Sequence, residues 1–452
     1  MTNVFQSNQG VKQGCILSPL LFNIFLADIV QRFEIQKCEA IEIGESKKIS
    51  CLLWADDMVL LSKSDDGLKN MLSELSRYVE ENHMEINKDK TKCMVLNQSG
   101  KFIRRSYNLG GGTIFTTNSY KYLGFIITPS GEITTGLKDL KDRASRAYQA
   151  LKTKMGNFFM YCPTTIITLF NALVQPILLY NSDFWGCLKM PKNNPIANMQ
   201  MRFCKELLGV QKQTTNVGVL LELGLVPIML HGKKNCIKNW ERIYIDNKAN
   251  NLILQVCTTA NEQNLTWPSA TRGTLNRIGI GLTNTGSLST TAFMRMKDIF
   301  HQESFSTIKN EGSKLRTYSK IKTSISMEKY LSLIHNTKER AAITKIRLSN
   351  HDLMIEKGRH LKINKELRFC SFCKNEVETE LHFILKCKTF APFRNPLLDV
   401  VNQKIPHFNY LQENEKLVIL LNNENVIAYV GTFLNQALQC RRFLLKHHKN
   451  AE

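Results

Sequence analysis

The sequence predicts an α+β fold: an antiparallel sheet with helices near the N-terminus, a long α-helical stretch, and a small cysteine-rich segment before the C-terminus. Three features carry this prediction. Short apolar runs bracket Asp56 and Asp57, helical periodicity dominates from about residue 133, and Cys370, Cys373, His382 and Cys387 fall close together.

Composition narrows the partners first. The 452 residues, 43% hydrophobic and 22% charged, suit two or three globular domains. Lys and Arg number 60 against 39 Asp and Glu, a net charge of +21, which favours a polyanion and nucleic acid before others. Thirteen scattered cysteines point to a reducing, intracellular compartment. The opening MTNVFQSNQG has no leader pattern, and no apolar run reaches membrane-spanning length, so no membrane partner is expected.

In order along the chain, Gly10 and Gly14 bracket a loop where absent side chains let a backbone or flat ligand approach. Ser18-Pro19 reads as N-cap and first helical residue of a buried helix carrying Leu20, Leu21, Ile24, Phe25, Ile29 and Phe33. In CLLWADDMVLL, Leu52–Trp54 and Met58–Leu61 read as strands buried on both faces, with Ala55-Asp56-Asp57 at the turn. Two adjacent carboxylates in an apolar setting need a cation or an exposed position. A metal site and a solvated hairpin tip both satisfy that requirement. Behind an Asp cap, Leu68, Met71, Leu72, Leu75, Tyr78 and Val79 share a helical face. NKDKTKCMVLN predicts a turn at Asn87 and a basic lead into a strand, and YKYLGFII predicts one further strand.

These residues carry a resemblance. Gly10-Val-Lys-Gln13-Gly14 running into Ser18-Pro19, Trp54-Ala55-Asp56-Asp57, Asn87-Lys-Asp-Lys90-Thr91-Lys92 and Tyr122-Leu123-Gly124 resemble, in order and spacing, successive palm motifs of reverse transcriptases from non-LTR (LINE-type) retrotransposons. The resemblance covers roughly residues 8 to 125, and LVQPILLYNSDFWG at 173–186 is similar more loosely. It implies RNA-directed DNA polymerase activity by a two-metal mechanism using Mg²⁺ or Mn²⁺, with dNTPs, an RNA template and a DNA primer or target DNA as partners. It also implies a nuclear location with a cytoplasmic ribonucleoprotein stage. Asp56 would be the main metal ligand and Asp57 an auxiliary carboxylate near the primer end. Gly10, Gln13 and Gly14 would shape the floor under template and incoming base, and Tyr122, Leu123 and Gly124 would support the primer strand. Lys90 either faces the leaving pyrophosphate or is simply solvated.

Two departures from the family pattern stand out. Trp54 occupies a position usually held by Tyr or Phe, keeping the aromatic character. The family's first catalytic Asp precedes the Gly-Gln-Gly segment, whereas here the first carboxylate is Asp28. The chain therefore reads as a truncated polymerase, short of a bridging metal ligand.

Beyond residue 128, Ile133, Leu137, Leu140, Ala144, Ala147, Tyr148 and Leu151 line one helical face, with Lys138, Lys141, Arg143, Arg146, Lys152 and Lys154 around the rest. This suits either a thumb following a template–primer backbone or an ordinary solvated face. Helices continue to about 250 with breaks at Pro176 and Asn193–Pro195, and residues 258–325 read as a linker with loosely packed helices.

In CSFCKNEVETELHFILKC, Cys370, Cys373, His382 and Cys387 are separated by two, eight and four residues. Three thiolates and an imidazole form a closed tetrahedral set suited to structural Zn²⁺; the alternative is core cysteines with a coincidental His. The flanks resemble the C-terminal zinc segment of the same polymerases, with Lys386, Lys388 and Arg394 placed for RNA or target-DNA contact. The predicted layout is a partial palm at 1–128, a helical thumb-like region at 129–257, a linker and helical region at 258–365, a zinc-knuckle-like segment at 366–398 and a basic helical tail at 399–452. Two functions fit: a reverse transcriptase chain, or a noncatalytic RNA- and DNA-binding protein, decayed or host-adopted.

Overall fold

A computed structural model describes residues 10, 14–44, 47–97, 99–156, 162–245, 251–262, 266–281, 287–310 and 314–449. The chain packs as two compact units, Met1–Gly136 with Asn239–Arg272, and Leu137–Lys238 with Gly273–Glu452. Helices predominate, and strands among the described residues form four separate two-stranded antiparallel hairpins instead of one shared sheet.

The first unit opens with helices α1 (Ser18–Phe25) and α2 (Asp28–Ile35). The expected single buried helix is thus two, broken at Leu26-Ala27, and Leu17 instead of Ser18 stands at the N-cap position. Its apolar series also divides: Ile29 and Phe33 enter the core, whereas Leu20, Leu21, Ile24 and Phe25 are exposed on α1. Hairpins β1–β2 (Ile41–Ile43, Lys47–Ile49) and β3–β4 (Cys51–Trp54, Asp57–Leu60) follow.

Helix α3 (Asp65–Glu81) is capped by Ser64, whose hydroxyl accepts from Gly67 N at 3.0 Å, so the cap is the serine and not an aspartate. Its predicted apolar face is real: Met71, Leu72, Leu75 and Tyr78 are buried. Leu72, Leu75 and Tyr78 join Ile29, Phe33, Cys51, Tyr107, Leu109 and Ile114 in one core. On the rim of that core Arg32 Nε donates to buried Glu74 at 2.5 Å, and the Tyr78 hydroxyl donates to Asp28 at 2.5 Å.

Hairpins β5–β6 (Ser106–Leu109, Gly112–Phe115) and β7–β8 (Tyr120–Tyr122, Phe125–Ile127) complete this part. Two strand expectations change here. The segment after Asn87 forms only an isolated bridge, Cys93 to Thr116, and YKYLGFII folds back on itself at Leu123-Gly124 instead of running straight.

In the second unit, α4 (Thr134–Met155, nearly all of it here) buries Leu137, Leu140, Ala144 and Tyr148. Tyr148 meets Phe203 edge-on at 5.8 Å on α5 (Pro195–Leu208), and Phe170 stacks on Phe203 at 3.9 Å. Asn194 caps α5 and Pro195 begins it, as the predicted break requires.

Residues 288–309, expected to pack loosely, form one helix burying Leu288, Ala292, Met296 and Ile308. The remaining frame is α6 (Thr337–Arg347), α7 (Ala391–Lys404) and α8 (Ile427–Lys449). Fully buried Arg347 bonds Glu222 at 2.7 Å and the Leu421 carbonyl at 2.6 Å, linking distant parts of this unit. No single helix among the described residues is long and apolar enough to cross a membrane.

Candidate functional site

The β3–β4 hairpin pairs Cys51 with Leu60, Leu52 with Val59, Leu53 with Met58 and Trp54 with Asp57. That register leaves Ala55 and Asp56 alone in a two-residue turn, the tightest antiparallel connection. Ala55 takes a φ of +50°, a conformation that costs a non-glycine residue about 1–2 kcal/mol and persists only where the strands impose it. The hairpin is covered on one face only. Cys51 is buried, while Leu52 and Trp54 are 42% and 66% exposed, so the expectation of strands buried on both faces fails. Strand alternation explains the exposed pair, since residues 52 and 54 point the same way. Asp56 and Asp57 are both exposed at the tip.

Leu123 and Gly124, at φ +43° and +81°, turn the β7–β8 hairpin; both left-handed positions fit the primed turns that match strand twist. Burial pushes the Tyr122 phenol up, and the charge of Asp57 adds to that shift. Lys90 is exposed in a turn closed by Asn87, whose Oδ1 accepts from Lys90 N at 3.1 Å. Among the described residues no hydrogen bond or ion pair joins the Lys90 side chain to Asp56 or Asp57, and it is Lys88 that reaches another hairpin, donating to the Gly110 carbonyl at 2.5 Å. Gly10 and Gly14 both stand at φ +83° with open space where a Cβ would be. Gln13 lies outside the described residues.

The C-terminal set is of another kind. Cys370, Cys373, His382 and Cys387 present ligand atoms all within 4.8 Å of one another, the only group of three or more such side chains drawn together among the described residues. Cys370 Sγ and Cys387 Sγ are 3.8 Å apart, and Cys373 Sγ and His382 Nε2 3.3 Å. Tetrahedral Zn–S bonds of about 2.3 Å and Zn–N bonds of about 2.0–2.1 Å imply edges of roughly 3.8 and 3.5 Å. The donor set fits zinc, and a sulfur separation of 3.8 Å is far from a disulfide.

Local folding explains the gathering. Phe369 pairs with Val377 to turn the first two cysteines, and a π turn, His382–Lys386, closed by Cys387 N donating to the His382 carbonyl at 2.8 Å, points His382 and Cys387 inward. Left to themselves the four groups share protons. The bond to Cys387 and burial push Cys370 up to about 12, while the same bond pulls Cys387 down to about 7. Burial opposes a charge on His382, yet Cys370 and Glu376 raise it to about 9.

Sequence reasoning missed the supports. Glu376 faces His382 Nδ1 at 3.3 Å, which leaves Nε2 for a metal. Glu378, fully buried, is gripped by Arg441 of α8 at 2.8 and 2.7 Å and lies 3.9 Å from Cys370 Sγ. The acidic alternation in KNEVETE was the available signal. Arg394, expected to contact nucleic acid, is instead buried and donates to the carbonyls of Phe383, Ile384 and Cys387, holding the loop. Lys386 pairs with Glu376 and Glu413.

Residues 2–127 match the family described as "Reverse transcriptase (RNA-dependent DNA polymerase)". This region is a reverse transcriptase domain. The "Retrovirus-related Pol polyprotein from type-1 retrotransposable element R2" of Popillia japonica is 30% identical over 171 residues, 34% of this chain and 28% of that protein. The "Probable RNA-directed DNA polymerase from transposon BS" of Drosophila melanogaster is 27% identical over 205 residues, 43% and 21% of the two chains. The "RNA-directed DNA polymerase from mobile element jockey" of the same species is 24% identical over 214 residues, 44% and 22%. The matches span 28% or less of these relatives' length. What the chain resembles, over this domain and somewhat beyond it, is the reverse transcriptases of non-LTR retrotransposons.

Proposed function

We propose that the chain serves RNA-directed DNA synthesis, presenting Asp56 and Asp57 to the end of a DNA primer paired with an RNA template. The observation that carries this is the carboxylate pair exposed at a tight hairpin tip inside the reverse transcriptase domain. Mg²⁺ is held by one or two carboxylates plus substrate phosphates, and a bound ion would activate the primer hydroxyl and neutralise the triphosphate of a dNTP. Asp56 and Asp57 supply hard oxygen donors of that type and leave room for phosphates. The protein's part is to fix these two carboxylates on a strand-ended turn. The Cys370, Cys373, His382 and Cys387 set would hold one structural Zn²⁺ that folds the C-terminal segment.

A second reading, a noncatalytic nucleic-acid-binding protein, is favoured by one observation: Asp56 and Asp57 gather no third carboxylate among the described residues. Primer extension on an RNA template separates the two. Mg²⁺-dependent synthesis that Asp56→Asn abolishes supports the polymerase, and tight hybrid binding without synthesis supports the second.

A further inference from the structure

A cavity of about 490 Å³ opens in the second unit where the C-terminal end of α5, the first turns of α6 and the middle of α8 meet. Its floor is apolar, made by Leu207, Leu208, Ala341 and Leu438. Its rim is cationic, with Lys338 and Lys345 from α6 and Arg442 from α8, and the amides of Asn435 and Gln439 lie between. Beside the cavity α5 and α6 approach closely. Gly209 ends α5 at φ +64°, and a Cβ there would stand 2.9 Å from that of Ala341.

The charge of this cavity is not cancelled. Glu206 is the one carboxylate in its lining, and Arg202 at 2.8 Å, Tyr148 at 3.0 Å and Lys152 at 3.2 Å already hold it. Among the described residues neither the Lys338 nor the Lys345 ammonium has a hydrogen-bond or ion-pair partner, although the charge of Asp352 reaches Lys345. Arg442 Nε donates only to the carbonyl of Leu438, one turn back in its own helix, at 3.3 Å. The N-terminus of α6, opening at Thr337, adds its dipole to the same rim. Burial, then the nearby Arg442, lowers the Lys345 ammonium, and the opposing charge of Asp352 does not offset them.

We propose that this cavity binds single-stranded nucleic acid, seating one nucleotide with its phosphate on Lys338, Lys345 and Arg442 and its base over the Leu207–Leu438 floor. The inference rests on the reading that the chain handles nucleic acid, and adds a site for an unpaired strand. The volume falls within the range of about 300–1,000 Å³ usual for ligand sites. A duplex keeps its bases stacked inside and presents phosphates on a convex surface, so it cannot enter; an unpaired strand offers a free base face and edge to an apolar floor and amides. Exposed Lys446, one turn beyond Arg442 on α8, continues the cationic line for a neighbouring phosphate.

Fluorescence anisotropy on the full zinc-loaded chain tests this with a uridylate dodecamer, a thymidylate dodecamer and a blunt RNA–DNA hybrid of the same length. Lys345→Ala/Arg442→Ala should weaken both single strands about tenfold more than the hybrid, whereas Lys138→Ala/Arg146→Ala on α4 should do the reverse. Ala341→Phe, which fills the floor and keeps every cation, should lose the single strands in the same way. Photocrosslinking of the wild-type uridylate complex should map to residues 337–345 and 435–442, a result that does not depend on any variant folding. Single-strand binding within about twofold of wild type in folded Lys345→Ala/Arg442→Ala and Ala341→Phe, or crosslinks elsewhere, overturns the site. A wild-type chain that binds hybrid but no single strand overturns this inference alone; one that binds neither overturns the functional reading as well.

Discussion

The Asp56–Asp57 tip and the Cys370–Cys387 cluster are both candidate metal sites, and they are built in opposite ways. The first is two exposed carboxylates on an open hairpin in a unit of separate hairpins, steadied by strand register and by little else. The second is four converging donors, nearly all buried, backed by Glu376, Glu378, Arg441 and Arg394. A structural site must be complete without a ligand's help, because its metal replaces a hydrophobic core. A site that works on phosphates must stay open, because its substrates supply the remaining ligands.

The comparison breaks most visibly on metal removal. Chelation, or Cys373→Ser, should remove one zinc per chain and forfeit much of the roughly 10–16 kcal/mol that structural zinc can contribute. Hydrogen exchange should then rise across residues 368–390 while α3 keeps its protection. Loss of protection in α3 to the same extent would mean that the first unit depends on the zinc too. Smaller, but still large, is Arg441→Met. It leaves Glu378 charged and buried, at a cost of about 3–5 kcal/mol, and Arg441→Met/Glu378→Leu should recover most of it. A chemical-denaturation series on the second unit's transition reads both values.

How far each region was legible follows from the same difference. The three Cys and one His donors lie within eighteen residues of chain, so spacing alone assembled them, and the α3 and α4 faces followed from helical period. The β3–β4 hairpin was legible as a turn, but its one-sided covering was not. Leu52 and Trp54 look like core residues until the alternation of a short strand turns them outward. YKYLGFII hid a hairpin because its turn uses Leu123 at φ +43°, where Asn or Gly would have announced it. Arg441 and Arg394 were illegible as zinc supports, since their partners are 63 and about ten residues away and nothing local marks them as buried.

On the open site, Asp56→Asn should lower RNA-templated synthesis on the order of 10²-fold or more, and Asp57→Asn less, when Mg²⁺-dependent incorporation is measured under saturating dNTP. Neither should change thermal stability by more than about 0.5 kcal/mol, because exposed carboxylates outside any network contribute little to folding. A large loss of stability in Asp56→Asn would make the pair a structural device like the zinc cluster and erase the contrast.

The smallest expected effect concerns which region holds nucleic acid by charge alone. The basic face of α4 is only half available, since Lys141 pairs with Asp142, Arg143 with Asp139 and Lys152 with Glu206. Lys138, Arg146 and Lys154 are exposed and have no ion-pair partner among the described residues. In the zinc segment the bookkeeping runs the other way: Arg394 serves carbonyls and Lys386 serves two glutamates, leaving Lys388 exposed. Each phosphate contact contributes a slope of about 0.9 to log K against log salt on a duplex. Lys138→Ala/Arg146→Ala should therefore reduce the hybrid-binding slope by roughly two and weaken binding a few-fold at moderate salt, while Lys386→Ala/Lys388→Ala should reduce it by less than about one. Anisotropy titrations across a salt series give both slopes. The reverse ranking would move duplex contact from α4 to the zinc segment, and the cluster would then be a docking element as well as a structural one.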